Sequence, residues 1–457
     1  MKKHLITFAA IIAALALTGC SAGGTFIADN GAAPTNGGSA MAGGAGSSLS
    51  SGKLEGTDIG GKKESFADKI AGIFGGEIAD AAPEAAAGEY IAADGAAVEG
   101  EFGGFAGDDY FVDEPTVPDN PYIPPQSGLL TGGEWNDNAH WADWNALYGS
   151  HEDWKGYKTD WKIADSYRLT VTVKSDGQPL EGAKVTWGDG MSAVTDNKGK
   201  AYLFSDEVPS TEVTVTCGDN SSEMIADWIS GEHDLSLSAD MDGAVSPVAQ
   251  KLDLMIMCDT TGSMGDELEY LKVELEDIVK SIKSNNANIP TRVSVNFYRD
   301  TEDEYEVRQF PFSENIDEVA AAIREQSANG GGDFPEAVHT ALDSAVNKHD
   351  WADDSVKIMF LVLDAPPHDD AQIIDSVNKY VAKAAEMGIR IVPVASSGID
   401  KSTEYLLRSM AFTTGGTYTF LTDDSGVGGG HIEPTVGAYN VEKLKDMMIR
   451  IVNSYLE

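Results

Sequence analysis

Two aspartates, Asp259 and Asp364, each come directly after a strongly apolar run, where a cation site can be built. The runs read LDLMIMC and KIMFLVL. Thr261 and Ser263 follow the first aspartate at intervals of two, so one turn can present a carboxylate and two hydroxyl oxygens to a common point. Hard divalent cations prefer such oxygen ligands in an octahedral arrangement. The spacing therefore predicts a metal site, although one Asp-x-Thr-x-Ser segment alone is also typical of a capped helix N-terminus.

Strand-like and helix-like patterns alternate through residues 250–457, and this alternation would position the two aspartates. Buried strands are predicted at residues 252–258, 292–298, 356–364, 389–395 and 417–421. Apolar residues between them recur every three or four positions, as on helix faces. The pattern predicts a doubly wound, mainly parallel α/β sheet covered by helices on both faces. With the strand order 3-2-1-4-5-6, Asp259 and Asp364 end neighbouring strands, at the edge where such sheets bind ligands.

The segment DTTGSMG resembles the DxSxS motif of von Willebrand factor A (VWA) domains. This resemblance implies that residues 250–457 adopt the Rossmann-like fold of that family. The resemblance places Asp259, Thr261 and Ser263 in the three ligand positions of a metal-ion-dependent adhesion site, and Asp364 in the family's later acidic position. A further ligand position, commonly threonine, falls at Asp333 in GGGDFPE. The GGGDxPE and DAPPH segments are similar to those of alpha-kinase-associated and bacterial A domains.

This resemblance implies a bound Mg²⁺, or Mn²⁺ or Ca²⁺, and the docking of a partner protein by adhesion or assembly. The chain is not expected to be an enzyme, because no nucleophile and base pair and no second metal cluster is evident. Two alternatives stay open. The carboxylates and His368 would form a metal-dependent hydrolase, or the domain is a structural scaffold with a vestigial metal site. The Gly-rich loop at residues 423–440 either covers an edge of the site or is mobile.

Residues 1–20 have the features of an export signal. Lys2 and Lys3 precede a short apolar stretch at residues 5–17, which is typical of a signal peptide. It ends in LTGC, which resembles the lipobox of bacterial lipoproteins. The resemblance implies that Cys20 is lipidated and anchors the protein to the cell membrane, facing the outside of the cytoplasm. An ordinary signal peptide that contains a cysteine is the alternative.

Three regions precede the α/β domain. Residues 21–125, rich in Gly, Ala and acidic residues, predict a disordered linker. Residues 126–165 hold five of the eight tryptophans, which form either a glycan platform or, as we favour, a collar that docks on the next domain. Residues 166–246 alternate with period two and predict a small antiparallel β-sandwich. Their PLEGAKV and TDNKGKA segments resemble carboxypeptidase-regulatory and related Ig-like modules.

Charge and cysteine content restrict the partners. The 74 acidic residues against 32 Lys and Arg give a formal net charge of −42, which repels nucleic acid. The three cysteines fall in different segments, so no disulfide framework is expected. The predicted partners are therefore an unknown extracellular or envelope protein and a membrane reached through the lipid anchor.

Overall fold

The computed structural model describes residues 124–188, 190–207, 210–229 and 231–457. The predicted signal peptide with Cys20, and all but the last two residues of the predicted linker 21–125, lie outside the described residues. No helix in the described ranges is long and apolar enough to cross a membrane.

The chain passes through a strand, two short helices and a group of short strands before strands and helices alternate. The elements of the first part are β1 (Thr131–Trp135), α1 (Trp141–Ser150), α2 (Trp154–Asp160), β2 (Tyr167–Ser175), β3 (Gln178–Pro179), β4 (Lys184–Trp187), β5 (Met191–Val194), β6 (Lys200–Ser205), β7 (Glu212–Cys217), β8 (Asn220–Ile225) and β9 (Asp234–Asp240). Those of the second part are β10 (Leu252–Asp259), α3 (Leu268–Asn285), β11 (Thr291–Tyr298), β12 (Val307–Arg308), α4 (Ile316–Arg324), α5 (Val338–Asn347), β13 (Val356–Leu363), α6 (Ala371–Met387), β14 (Ile389–Ala395), α7 (Lys401–Thr414), β15 (Tyr418–Leu421), β16 (Glu442–Lys443) and α8 (Leu444–Leu456).

The second part forms an α/β fold around one mixed sheet. Its strand order is β12-β11-β10-β13-β14-β15-β1-β16. The five strands from β11 to β15 in this order pair in parallel, whereas β12, β1 and β16 pair antiparallel. The predicted order 3-2-1-4-5-6 is thus present, and it makes β10 and β13 neighbours. The strand order reverses between these two strands, so their carboxyl ends flank the expected ligand-binding edge.

The sheet has a hydrophobic core on each face, because alternate side chains of a strand point to opposite faces. Leu254 and Ile256 of β10 pack in a core with α3, α4 and α8, and Met255 and Met257 pack in a second core with α5, α6 and α7. Burial on both faces explains why β10 and β13 read as nearly continuous apolar runs.

Strand β1 extends this sheet beyond the boundary at residue 250 that the sequence patterns indicate. Trp135 is paired with Tyr418, and Gly132 with Leu421, in an antiparallel ladder between β1 and β15. The β-sandwich therefore lies between two strands of one sheet in the chain. Gly132 and Gly133 permit this pairing, because a Cβ atom at either position would collide with Phe420.

The tryptophan-rich segment packs on helix α7. The rings of Trp144 and Trp154 are fully buried, and they lie 5.0 and 5.1 Å from the ring of Tyr405. The guanidinium of Arg408 lies 4.8 Å from the Trp144 ring and pairs at 2.6 Å with the buried carboxylate of Asp137. These contacts hold the segment against the α/β domain, and all five of its tryptophans are buried.

Residues 166–246 form two four-stranded sheets that share one hydrophobic core. One sheet has β3, β2 and β6 in order with β9 on the other side of β2, and the second has the order β5-β4-β7-β8. β2 and β9 pair in parallel, whereas the period-two pattern led us to expect an antiparallel sandwich. Local alternation sets which face of a strand is buried but not the direction of its partner.

Candidate metal centre

The end of β10 gathers the three oxygen-bearing side chains that the sequence spacing singled out. Asp259 Oδ1 accepts hydrogen bonds from the amide of Thr261 at 2.8 Å and from its hydroxyl at 2.7 Å. The Thr261 hydroxyl lies 3.2 Å from that of Ser263. Asp259 and Thr261 are buried and Ser263 is exposed, so the group runs from the interior to the surface.

Asp364, which follows β13, completes this group from the neighbouring strand. Its carboxylate accepts a hydrogen bond from the Ser263 side chain. Burial, with Glu267 as a further cause, raises the pKa of Asp364, and burial together with Asp364 raises the pKa of Asp259. The structure thus brings together Asp259, Thr261, Ser263 and Asp364.

Glu336 is a third carboxylate in this group, and sequence reasoning did not select it. It is buried and forms a side-chain hydrogen bond with Thr261. Burial, followed by the charges of Asp259, Asp300 and Asp364, raises the pKa of Glu336 to about 9. Two sequence signals could have found it: Glu336 is the last residue of the GGGDxPE segment, and it lies two residues before the start of helix α5.

Asp333 is placed differently from its predicted role. Its side chain is exposed, and none of the contacts of the described residues joins it to the other predicted ligands. The backbone explains why Glu336, and not Asp333, faces the site. The amide of Glu336 donates to Pro366 O at 2.8 Å and draws the residue inward. Gly331 has φ +70°, and a Cβ atom there would lie 2.9 Å from Glu336 Oε1.

The Gly-rich loop covers one edge of the site. His431 Nε2 lies 3.0 Å from Glu267 Oε1, and its Nδ1 lies 2.7 Å from Asp423. The same Glu267 oxygen accepts a hydrogen bond from the amide of Ser397 at 3.1 Å. Glu267 and Asp423 raise the pKa of His431 against the opposing effect of burial. The loop is therefore held beside the acidic group by a histidine between two carboxylates.

His368 lies at another side of the same group. Its Nε2 is 2.8 Å from Asp300 Oδ1, and Asp300 is one of the charges that act on Glu336. His368 thus reaches the rim of the site.

The donor set fits a divalent cation on structural grounds. Asp259 Oδ2, Asp364 Oδ1 and Glu336 Oε2 are buried and have no hydrogen-bond partner. Buried carboxylates are normally paired or bound to metal, because desolvating an uncompensated charge is costly. Among the described residues, no group of three or more His, Cys, Asp or Glu has the geometry to hold a metal ion by itself. The set here mixes carboxylates with the hydroxyls of Thr261 and Ser263, and all are the oxygen ligands that Mg²⁺ accepts.

The sheet and its polar edge define an α/β protein of the doubly wound class. Within that class, residues 253–430 match the family of the von Willebrand factor A domain. This part of the chain is a VWA domain, as the DxSxS-like motif predicted.

Two relatives are similar to part of the chain. A putative ariadne-like RING finger protein of Acanthamoeba polyphaga mimivirus is 36% identical over 120 residues, which cover 26% of this chain and 11% of the relative. An alpha-protein kinase of Dictyostelium discoideum is 27% identical over 120 residues, 26% of this chain and 19% of the relative. The chain therefore spans less than a fifth of the length of each relative.

Proposed function

We propose that the protein is a lipid-anchored envelope protein whose VWA domain binds a divalent metal and docks a partner protein at the metal-bearing edge. A VWA domain itself is associated with protein–protein interaction or adhesion. The observation that carries the metal proposal is the set of three buried carboxylate oxygens without a partner. Asp259, Thr261, Ser263 and Asp364 would hold the ion, with Glu336 in the place that we had assigned to Asp333.

A bound cation would remove the unfavourable electrostatics of this edge. When bound, the metal supplies positive charge and open coordination positions for an external ligand. Burial and the charge of Asp364 raise the pKa of Asp259, and burial with the charges of Asp259 and Asp364 raises that of Glu336, because like charges are buried close together. Two positive charges against three carboxylates leave a formal excess of one negative charge. Partner recognition would therefore rely on the surrounding rim as well as on the ion.

Calorimetric titration with MgCl₂ and with MnCl₂ tests the metal proposal. The protein would be expressed without residues 1–20, which keeps every described residue. We expect one saturable site in the wild type and none in Asp259→Asn, since Asn keeps the Oδ1 acceptor for Thr261 but removes the charge. Glu232→Gln, at an exposed position of the sandwich region, is the matched control and should titrate like the wild type. Equal titrations of all three proteins would favour the scaffold with a vestigial site.

Partner docking is tested by retention on the immobilised protein. Envelope extract would be passed over wild-type protein with Mg²⁺, with a chelator, and over Asp259→Asn. A partner that binds in the manner proposed is retained only in the first case. A protein retained equally in all three cases would contradict metal-dependent docking.

The proposed anchor depends on Cys20 alone. In cells, Cys20→Ala should release the protein from the membrane fraction, because no other anchor is predicted. Membrane association of Cys20→Ala that survives a high-salt wash would contradict the lipoprotein proposal.

Metal-dependent hydrolysis is the second candidate, and one contact favours it. His368 Nε2 lies 2.8 Å from Asp300 Oδ1, an arrangement that orients an imidazole for proton transfer. Phosphate-ester and peptide substrates would be tested with Mn²⁺. Turnover that disappears in both Asp259→Asn and His368→Ala would replace our binding proposal, and absence of turnover would leave binding as the function.

A further inference from the structure

A cavity lies between the β-sandwich and the helices of the VWA domain, away from the candidate metal centre. It has a volume of about 480 Å³ and lies between β5 and β6 on one side and α6 and α7 on the other. Small-molecule sites typically have about 300–1,000 Å³ and often lie between domains. The cavity opens to solvent at a rim that includes the exposed residues Lys379, Ala382 and Glu386, so a ligand could enter it.

The inner walls of the cavity are mainly apolar, although Ser192, Asn378, Ser409 and Thr413 also line it. The apolar side chains come from both domains and from the segment before the sandwich: Ile163, Met191, Leu203, Phe204, Val381 and Met410. Water in such a space finds few hydrogen-bonding partners, so an apolar occupant is favoured. The Tyr202 hydroxyl is one polar group in the lining. Burial raises the pKa of Tyr202 to about 12, so this group remains a hydrogen-bond donor at neutral pH.

The rim of the cavity carries positive charge, in a chain whose formal net charge is −42. Lys162, Lys379 and Lys383 line it, with Glu386 as the one carboxylate in that lining. Glu386 is neutralised by Lys184 at 2.7 Å, outside the lining.

Two of the three rim lysines keep an uncompensated charge. Lys162 pairs with Asp375 at 2.6 Å. Lys383 donates to the neutral side chain of Asn347. Lys379 has no polar partner among the residues that the structure describes. Lys379 and Lys383 are therefore available to an anionic ligand.

We propose that this cavity binds a free fatty acid, with the acyl chain between the two domains and the carboxylate at Lys379 and Lys383. The volume of about 480 Å³ lies in the lower half of the range of small-molecule sites, which favours one acyl chain over the two chains of a phospholipid. A lysine ammonium provides a charge-assisted hydrogen bond to a carboxylate.

Titration calorimetry with dodecanoate, and with dodecanol of the same chain length, tests the site. Both would be used below the concentrations at which they form micelles, with protein expressed without residues 1–20. We expect saturable 1:1 binding of dodecanoate and binding of dodecanol weaker by about tenfold, since the alcohol lacks the charge. Absence of saturable binding, or equal affinity for the two probes, would overturn the proposal.

Variants locate the binding within the cavity. The double variant Lys379→Glu with Lys383→Glu should weaken dodecanoate binding at least about tenfold while dodecanol binding stays unchanged. Lys155→Glu with Lys198→Glu changes the net charge equally at exposed positions outside the lining, and should bind both probes like the wild type. Ala382→Trp, at an exposed lining position, should block both probes. Dodecanoate binding that is unaffected by Ala382→Trp would place the ligand elsewhere and overturn the proposal.

Discussion

The two ends of strand β10 each carry a buried aspartate, and the surroundings of the two carboxylates differ. At the amino end, Asp253 receives two hydrogen bonds from Arg292 at 2.8 and 2.6 Å, one from the amide of Ala352 and one from the Ser355 hydroxyl. At the carboxyl end, Asp259 receives hydrogen bonds from Thr261 on Oδ1, while its Oδ2 has no partner.

Under the proposed metal binding, this difference separates a structural carboxylate from a ligand-binding one. The charge of Asp253 is compensated by Arg292 of the neighbouring strand β11, so this ion pair stabilises the folded chain without a bound ligand. Asp259 lies close to Asp364, another acid, and in the proposed function a bound cation would compensate its charge. The two buried aspartates of this strand therefore differ in their partners, and the metal proposal assigns them different functions.

The largest expected effect comes from removing the compensation of Asp253. Arg292→Ala leaves that buried carboxylate without its cation and should lower the free energy of unfolding by about 3 kcal/mol. Arg324→Ala, which removes an exposed pair with Glu276, should cost less than about 1 kcal/mol. Urea denaturation of both variants measures the difference. Equal losses would show that Arg292 is not the main compensation of Asp253.

Neutralising each aspartate in turn should change stability in opposite directions. In metal-free protein at neutral pH, Asp259→Asn should raise the free energy of unfolding by about 1 kcal/mol, since a buried like charge is removed, whereas Asp253→Asn should lower it. Metal at 100 times its Kd should stabilise the wild type by about 2.7 kcal/mol and Asp259→Asn not at all. Thermal unfolding with and without MgCl₂ checks this. A metal-free Asp259→Asn that is less stable than the wild type would break the comparison.

The third prediction distinguishes Glu336 from Asp333. Glu336→Gln should weaken Mg²⁺ binding about tenfold, which corresponds to about 1.4 kcal/mol, because a buried carboxylate beside Thr261 is lost. Asp333→Thr should leave the affinity unchanged, because its exposed side chain does not reach the site. Calorimetry measures both. Weaker Mg²⁺ binding by Asp333→Thr would show that this loop rearranges around the ion.

Glu336 also predicts a pH dependence. Its pKa is raised to about 9 in the folded chain, against about 4.3 for an ordinary glutamate. Between these values the folded protein binds a proton that the unfolded chain has released, so the free energy of unfolding of metal-free protein should fall as the pH rises. Glu336→Gln should show a shallower decline. An identical slope in the two proteins would contradict this cause.

The smallest effect concerns the loop at His431. This histidine lies beside the Glu267 carboxylate and compensates part of its charge, whereas Asp259 has no such cationic neighbour among the described residues. Since the pKa of His431 is raised in the folded chain, its contribution to stability is fully present below the unfolded value of about 6.5. It is lost as the pH rises through the folded pKa. The stability difference between the wild type and His431→Asn should therefore shrink from pH 5.5 to pH 8.5, as followed by urea denaturation. A difference that grows over this range would contradict the ion pair with Glu267.

Local sequence patterns were enough to predict the alternation of strands and helices in residues 250–457 and the first residues of the candidate metal centre. Apolar runs with period-3.6 segments between them are local signals, and burial on both faces of β10 and β13 makes them strong. Asp259, Thr261 and Ser263 were accessible for the same reason, because their arrangement depends on one short turn. Asp364 followed from the rule that the carboxyl ends of parallel strands share an edge.

Local patterns could not show which carboxylate of GGGDFPE faces this edge, because that depends on how the chain folds around it. Asp333 and Glu336 are both acidic and three residues apart, and the choice depends on the left-handed backbone at Gly331 and on the hydrogen bond to Pro366 O. The same holds for β1, where Thr417 donates to Trp135 O across 282 residues of chain. Such pairings are selected by the packing of the whole sheet, and no local pattern of side chains encodes them.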